Sequence, residues 1–450
     1  MILHIFLIAS IKFILYYYKL RDEKHKEVAY KLKIDLNEIL YSVSTGLDSV
    51  EQELLGTRNG HCKRIAALSI MLGKAMGLTP NELTDLAAFS ILHDNALTQV
   101  NQEENEYKKY NNGQGYTQSD FNIRRCILGE TNSKYVPFRT NNRDVILLHH
   151  ENADGSGPQG RTYDRTPIKA QIIHLADCID NNFDLFNPTN KDTYGAIIYY
   201  VKSNAGTLFS REIVDAFCKS FKSKHMNNLT FSNVDNFLRK STKHFNDEYS
   251  PHEVYHLAYL IAMIIDSKSH FSCKHSVGVA INCKKMAEHY KFPVEKATKF
   301  YLAGALHDVG KLMIPNAILQ KPDRLDDAEY EVMKQHAYYT YEILKNIKNM
   351  NDITIWASHH HEKLNGTGYP FKLKEEELTM EERLMTCCDI YQALTEERTY
   401  KEGFSHDKAI SIMRDMVIKG ELDMSIVTNM DMVFSDKTWD RSMPTSILST

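Results

Sequence analysis

Apolar residues in this chain recur at three- and four-residue intervals, the spacing of one helix face. In 294–309, Val294, Ala297, Tyr301, Ala305 and Val309 form such a stripe, and Leu302 and Leu306 widen it. Thr79-Pro80-Asn81-Glu82 has the form of a capping box with Pro in the first turn, and it predicts the helix that carries His93. Ser250-Pro251-His252-Glu253 has the same form, so it predicts the first helix of a second domain and a boundary near 240–250. Residues 101–120 interrupt the pattern. They are rich in Asn, Gln, Glu and Tyr, carry Gly113 and Gly115, and predict a loop in place of a helix. With 11 Pro and 20 Gly in 450 residues, an all-α fold is expected rather than many short strands.

The first twenty residues, MILHIFLIASIKFILYYYKL, are apolar except for His4, Lys12 and Lys19. A spanning helix wants about 20 mostly apolar residues, and Lys12 falls in the middle of this one. The Tyr16–Tyr18 run before KLRDEKHK resembles an interfacial belt with a basic flank. Membrane attachment through residues 1–28 is one reading; a buried or docking helix, or an unused upstream start, is the other.

The histidines disclose a repeat. His61 to His93 and His275 to His307 are both 32 residues. From His93 to the pair His149-His150 is 56 residues, and from His307 to His360-His361 is 53. From His150 to Asp177 is 27, and from His361 to Asp389 is 28. HCKRIAALS at 61–69 aligns without gaps with HSVGVAINC at 275–283, and HHENADGSGP with HHEKLNGTGY. Agreement at four landmarks makes coincidence implausible. Residues 29–247 and 248–450 are therefore read as two tandem helical domains of one type. No long low-complexity linker separates them, so they are expected to pack together.

A net charge of −4 shows no global basic surface, so a nucleic acid polymer is not an expected partner. The eight cysteines are scattered without a C-x-x-C pair, which points to reduced thiols and a cytoplasmic protein.

Any one of these histidines alone would be read as a packed core residue. In the order His, His-Asp, His, His-His, Asp, they read as a metal centre. Helical bundles build such centres from inward-facing side chains on several helices. His275, His336, His360, His361 and Asp389 would converge on His307 and on Asp308, whose two oxygens can bridge. Imidazole and carboxylate without thiolate suit iron, manganese or zinc, and not calcium. Two ions about 3.5–4 Å apart would activate a water and stabilise charge on a phosphoryl group. Lys311 follows His307 by four residues, one helical turn, within reach of a phosphate oxygen. Gly310 leaves room for close approach by backbone or substrate. His252, His256, His270 and His359 are expected at the surface or behind the ligands, and His406 at a helix start.

The second half resembles the HD-GYP subfamily of the HD phosphohydrolases, whose signature is HDxGK followed by HHExxxGxGYP. The chain has His307-Asp308-Val309-Gly310-Lys311 and, at 360–370, HHEKLNGTGYP. The likeness also covers 314–336 and RTYK at 398–401, and spans roughly 260–420. It implies two tandem HD-type helical domains and hydrolysis of a cyclic dinucleotide, most readily cyclic di-GMP to pGpG or GMP. It also implies a divalent-metal centre: His275, His307, Asp308 and Asp389 on one ion, with Asp308 bridging to a second held by His336, His360 and His361. Iron or manganese is favoured over zinc. Lys311 would contact the scissile phosphate and act with Asp308 in catalysis. Arg398 and Lys401 would hold phosphate, and the loop with Gly366, Gly368, Tyr369 and Pro370 would shape the substrate pocket. Three positions depart from the family. Phe271 stands where some members carry a Glu for a third ion, so two ions are expected. Gln392 replaces the second Asp of D-x-Y-D, and Thr399 replaces the Pro of R-P-Y.

The first half keeps His61, His93, Asp94, His149, His150 and Asp177. It has no histidine between 93 and 149, where Arg125 or Cys126 takes the place of His336. Leu97 replaces Lys311, and Pro158-Gln159 replace Tyr369-Pro370. It is read as a metal-capable but altered site, with a structural or regulatory role ahead of a mononuclear hydrolase or a metal-free domain. An Arg near the second-ion position would repel a cation. A cyclic dinucleotide sensor that does not turn its ligand over is the alternative function. Another nucleotide, such as 3′,3′-cGAMP or a (p)ppGpp-like compound, is the alternative substrate. A homodimer is compatible with the sequence.

Overall fold

The structure is a computed structural model that describes residues 30–435, except 112, 187–191, 243–246, 270–274 and 397–402. The expectations for residues 1–28, His270, Phe271, Arg398, Thr399 and Lys401 fall outside the described residues.

Helices dominate, as the periodicity requires. The first half contains α1 (Leu36–Leu55), α2 (His61–Ala75), α3 (Pro80–Ile91), α4 (Leu97–Tyr110), α5 (Gln118–Ser133), α6 (Ile168–Asn182), α7 (Asp192–Ser203), α8 (Arg211–Ser220) and α9 (Val234–Ser241). The second half contains α10 (Pro251–Lys268), α11 (His275–His289), α12 (Val294–Leu306), α13 (Asn316–Leu319), α14 (Asp327–Leu344), α15 (Asn351–Ser358), α16 (Met380–Thr395), α17 (His406–Ile418) and α18 (Met424–Phe434). The capping boxes form as read: Thr79 and Glu82 open α3, and Ser250 and Glu253 open α10. Asp326 with Glu329 and Thr379 with Glu382 do the same for α14 and α16. No helix among the described residues is long and apolar enough to cross a membrane.

Two expectations need correction. Residues 101–110 are not loop but part of α4, and the break comes only at 111–117, where Gly113 adopts φ 82°. The polar composition misled because these side chains pair with one another on a half-buried helix face. Lys108 pairs with Glu104 at 3.0 Å one turn away, and Arg124 pairs with Glu103. The inner face buries Leu97 and Val100, and Thr98 Oγ1 donates to the Ile264 carbonyl of α10 at 3.3 Å. The His-Asp pairs also lie outside the helices. α3 stops at Ile91 and α12 at Leu306, and each pair occupies the turn that follows. Lys311 is consequently on a 3-10 turn, Val309–Met313, which brings it back over Asp308 rather than one α-turn past His307.

One buried apolar core runs through both halves. Strand β1 (Leu32–Ile34) pairs antiparallel with β2 (Asp247–Tyr249), Leu32 opposite Tyr249, so the start of the first half is stitched to the start of the second. Helix α1 lies on the 309–313 turn so closely that a Cβ on Gly46 would meet Leu312 Cβ at 2.7 Å. Beyond it, Glu53 accepts from the Asn316 amide at 2.7 Å and faces Lys268 Nζ at 3.6 Å. Lys268, itself buried, donates to the Leu312 carbonyl at 2.7 Å.

Candidate metal centre

In the second half, the turn after α12 supplies His307 and Asp308, α11 supplies His275 as its first residue, and α14 supplies His336. The turn after α15 supplies His360 and His361, and α16 supplies Asp389. All seven residues expected at the metal centre come together. His275 Nε2 is 2.9 Å from Asp389 Oδ1 and 4.0 Å from Asp308 Oδ2. His307 Nε2 is 3.2 Å from Asp308 Oδ2 and 3.8 Å from Asp389 Oδ1. On the other side of Asp308, Oδ1 is 3.4 Å from His336 Nε2 and 3.8 Å from His360 Nε2. His361 Nδ1 lies 3.6 Å from Asp389 Oδ2. The donors fall into two groups, His275/His307/Asp308 and His336/His360/His361, each with its atoms within 4.8 Å of one another.

The chemistry of these donors fits divalent ions. Nδ1 of His307, His336 and His360 each lies 2.7 Å from a backbone carbonyl three residues earlier, that of Gly304, Met333 or Ala357. A carbonyl can only accept, so Nδ1 carries the proton and Nε2 turns a lone pair inward. His307 Nε2 and Asp308 Oδ1 are buried with no hydrogen-bond partner, which is costly unless something else binds them. Burial pushes His336 down to about 4 and His361 to about 3, keeping both imidazoles neutral. Burial opposes ionised Asp308, but His307 and Lys311 outweigh it and hold its carboxyl well below the usual range. Burial likewise opposes a charged His275, yet Asp389 and Glu396 raise it to about 10, so a positive charge is stabilised at that point.

Around the donors, Lys311 Nζ sits 2.5 Å from Asp308 Oδ2. Gly310 makes room for backbone, not substrate: a Cβ there would lie 2.0 Å from the His336 carbonyl oxygen. Its amide donates to Thr340 Oγ1 at 3.0 Å, and that hydroxyl donates to the His307 carbonyl at 2.8 Å, which ties the turn to α14. Gly366 takes φ 74°, and a Cβ on Gly368 would meet Glu362 Cα at 2.5 Å. The Tyr369 ring lies 4.7 Å from the His361 ring. His359 Nδ1 is 2.5 Å from Glu382 Oε1, a supporting position, and His406 begins α17.

The sequence reading gave two residues of this site no role, although Glu362 stood in its motif. Glu362 accepts from the amides of Phe371, Lys372 and Leu373 at 2.6, 3.2 and 2.9 Å, which fastens the glycine-rich loop. Glu396 Oε2 reaches His275 Nδ1 at 3.1 Å. A spacing of seven from Asp389 on one helix was the available signal. Gln392 points away from the donors, packs over Gly278 and accepts from Asn282 Nδ2 at 3.1 Å.

The first half repeats the plan with one exchange. His61 Nε2 is 3.3 Å from Asp177 Oδ1, His93 Nε2 is 3.7 Å from Asp94 Oδ2, and His149 Nε2 is 3.7 Å from Asp94 Oδ1. Of the two residues proposed to replace His336, Arg125 fills the place. It donates to Asp94 Oδ2 at 2.9 Å and lies 2.5 Å from His150 Nε2. Leu97 is buried where Lys311 would stand. Asp180, unnoticed in the sequence although it completes a D-x-x-D with Asp177, lies 2.7 Å from His61 Nδ1 and pairs with Arg64.

Residues 259–426 match the HD domain family. The second half therefore carries an HD domain, and with its HD-GYP motif set it is a hydrolase similar to the HD-domain phosphodiesterases. Over 415 residues it is 28% identical to 3′3′-cGAMP-specific phosphodiesterase 1 of Vibrio cholerae serotype O1, covering 89% of this chain and 92% of that one. Over 171 residues it is 32% identical to a cyclic di-GMP phosphodiesterase of Pseudomonas aeruginosa, covering 38% of this chain and 41% of that one. The crystal structure of a cyclic GMP-AMP specific phosphodiesterase of V. cholerae shares the fold, with a TM-score of 0.59 at 21% identity over 89% of this chain and 98% of that one.

Proposed function

We propose that the second half hydrolyses a phosphodiester bond of a cyclic dinucleotide at a centre of two divalent ions. The observation that carries this is the pair of donor groups on either side of Asp308, with His307 Nε2 and Asp308 Oδ1 buried and without hydrogen-bond partners. His275, His307, Asp308 and Asp389 would hold one ion, and His336, His360, His361 and the second Asp308 oxygen the other. Iron or manganese matches this imidazole and carboxylate set better than zinc. Bound ions would supply positive charge to a phosphoryl oxygen and lower the pKa of water. The protein's own part is positioning. Lys311 is held over Asp308 and would meet the scissile phosphate. Tyr369, with the loop from Gly366 to Pro370, forms a wall beside His361 for a base or ribose. Arg398 and Lys401 would add phosphate contacts.

Cyclic di-GMP is the substrate that the motif resemblance implies. A specific observation favours 3′,3′-cGAMP: the relative that matches along nearly the whole chain, first half included, is named for that nucleotide, whereas the cyclic di-GMP relative above matches only part. The test is anaerobic purification with metal analysis, then hydrolysis of both nucleotides side by side with iron or manganese. Linear dinucleotide or mononucleotide should appear, faster from 3′,3′-cGAMP, and Asp308→Ala should abolish it. Metal-loaded protein that binds either nucleotide tightly but yields no product would establish a sensor instead.

A further inference from the structure

The altered site in the first half contains a carboxylate that the second half lacks. Glu51, on α1, is buried and its Oε2 lies 3.6 Å from His61 Nε2. Asp48 and Asp266 mark the corresponding positions: Asp48 accepts from the Cys62 amide at 2.8 Å, and Asp266 accepts from the Ser276 amide at 3.0 Å. Three residues beyond Asp48 stands Glu51; three beyond Asp266 stands Ser269. Glu51 is thus an added donor on the side of the first ion position. Its Oε2, His93 Nε2 and Asp94 Oδ1 are all buried without a hydrogen-bond partner. As in the second half, His93 Nδ1 is spent on a carbonyl, that of Ser90 at 3.0 Å, so Nε2 presents its lone pair to the cavity.

Charge decides how many ions the pocket takes. Asp180 is neutralised by Arg64, and Asp94 by Arg125. With Asp48 spent on the Cys62 amide, Glu51 and Asp177 are the carboxylates left facing His61, enough to offset one divalent ion. The Arg125 guanidinium meets Asp94 and His150, the counterparts of two donors to the second ion position, and a fixed cation there excludes another.

We propose that the first half binds a single divalent transition-metal ion through Glu51, His61, His93, Asp94 and Asp177, with Arg125 standing in for the second ion. Two imidazoles and three carboxylates form a hard donor set suited to manganese or iron.

The test uses the full chain carrying Asp308→Ala and His360→Ala, which cripples the second centre, and reads bound Mn2+ by metal analysis and electron paramagnetic resonance. One ion per chain with a mononuclear six-line spectrum is expected. His61→Ala added to that background should bring the count to zero, and Glu51→Gln should weaken Mn2+ at least tenfold. Arg125→His should raise the count to two with a spin-coupled spectrum, while Arg125→Met should leave it at one. Circular dichroism confirms that each variant is folded. The proposal is overturned by no retained ion at millimolar Mn2+, by two ions with Arg125 intact, or by an unchanged Mn2+ affinity in Glu51→Gln. A count of one in folded Arg125→His overturns the role given to Arg125. None of these readings depends on turnover, so the phosphodiesterase assignment can fail separately.

Discussion

Glu396 Oε2 lies 3.1 Å from His275 Nδ1, while Asp389 meets the other ring nitrogen, Nε2. In the first half the same service is rendered to His61 by Asp180, at 2.7 Å. Asp180 aligns with Gln392, four residues or one helical turn before Glu396, so both carboxylates reach the ring from one face of equivalent helices. The exchange is paired. Asp180 is neutralised by Arg64, whose counterpart is Gly278, and Gln392 covers that glycine.

This relationship predicts the effect of Glu396→Gln. The amide oxygen can still accept the Nδ1 proton, but the charge that raises ring basicity is gone. Losing such an outer partner typically costs 10–100-fold in metal affinity or activity. The Mn2+ activation curve should move to higher concentration by that factor, and Glu396→Ala should move it further. An unchanged curve in a folded variant would show that Glu396 does not support His275.

Lys311 makes a different prediction, because its ammonium competes with cations for Asp308 Oδ2 at 2.5 Å. In Lys311→Ala the metal ions should bind as tightly as before or tighter. Turnover should nevertheless fall by about 10²–10³-fold, the usual loss when one donor to a developing negative charge is removed. Metal titration and kcat on the same preparation separate the two effects. Loss of the ions in this variant would mean that Lys311 serves the metal site and not the phosphate.

Gly310 tests the backbone packing under the site. A Cβ there would lie 2.0 Å from the His336 carbonyl oxygen and 2.6 Å from the Thr340 amide nitrogen, so α14 must move in Gly310→Ala. Overpacking of this kind costs about 1–3 kcal/mol. Because His336 rides on α14, the second ion position should suffer first. Metal content should fall toward one ion in the second half, with lowered Tm and little turnover. A variant with full metal content and normal kcat would refute this account.

Much of this was legible in the sequence, for reasons visible in particular residues. The duplicated order marked six of the seven residues that converge on Asp308, and His336, which has no counterpart in the first half, was read from the second half alone; a metal centre would constrain residue type and spacing together. Thr79 and Ser250 marked true helix starts, because a capping box is a local motif whose partners lie three residues apart. What escaped was set by tertiary contact. The 101–110 stretch looked like loop because polar residues dominate its composition, while the helix is tied to α10 through Thr98, a contact 166 residues away in sequence. Arg125 or Cys126 was foreseen in the place of His336, but only the pairing with Asp94 across 31 residues decides between them, and Glu396 meets His275 across 121 residues with a spacing of seven from Asp389 as its one local signal.

The loop beside the metal donors supplies the last prediction. Glu362 accepts three consecutive amides, from Phe371, Lys372 and Leu373, and so fixes the chain just beyond Pro370. Glu151 does the same in the first half for the Gln159 amide at 2.6 Å and for that of Arg161. The loop is held by its carboxylate whether or not the Tyr-Pro that follows the glycines is present. In Glu362→Gln one oxygen becomes an NH2 that faces an amide donor, and a hydrogen bond to a charged group is worth about 1.5–3 kcal/mol. A stability loss of roughly 2 kcal/mol is expected. The kinetic signature should be selective. Tyr369 and its neighbours would line the proposed pocket, while five of the seven proposed ligands lie on other elements, so KM for the cyclic dinucleotide should rise about tenfold, the effect of roughly 1.4 kcal/mol of lost binding. Metal content should be unchanged and kcat should fall less than KM rises. Loss of kcat at constant KM would place Glu362 in the chemistry and not in the loop.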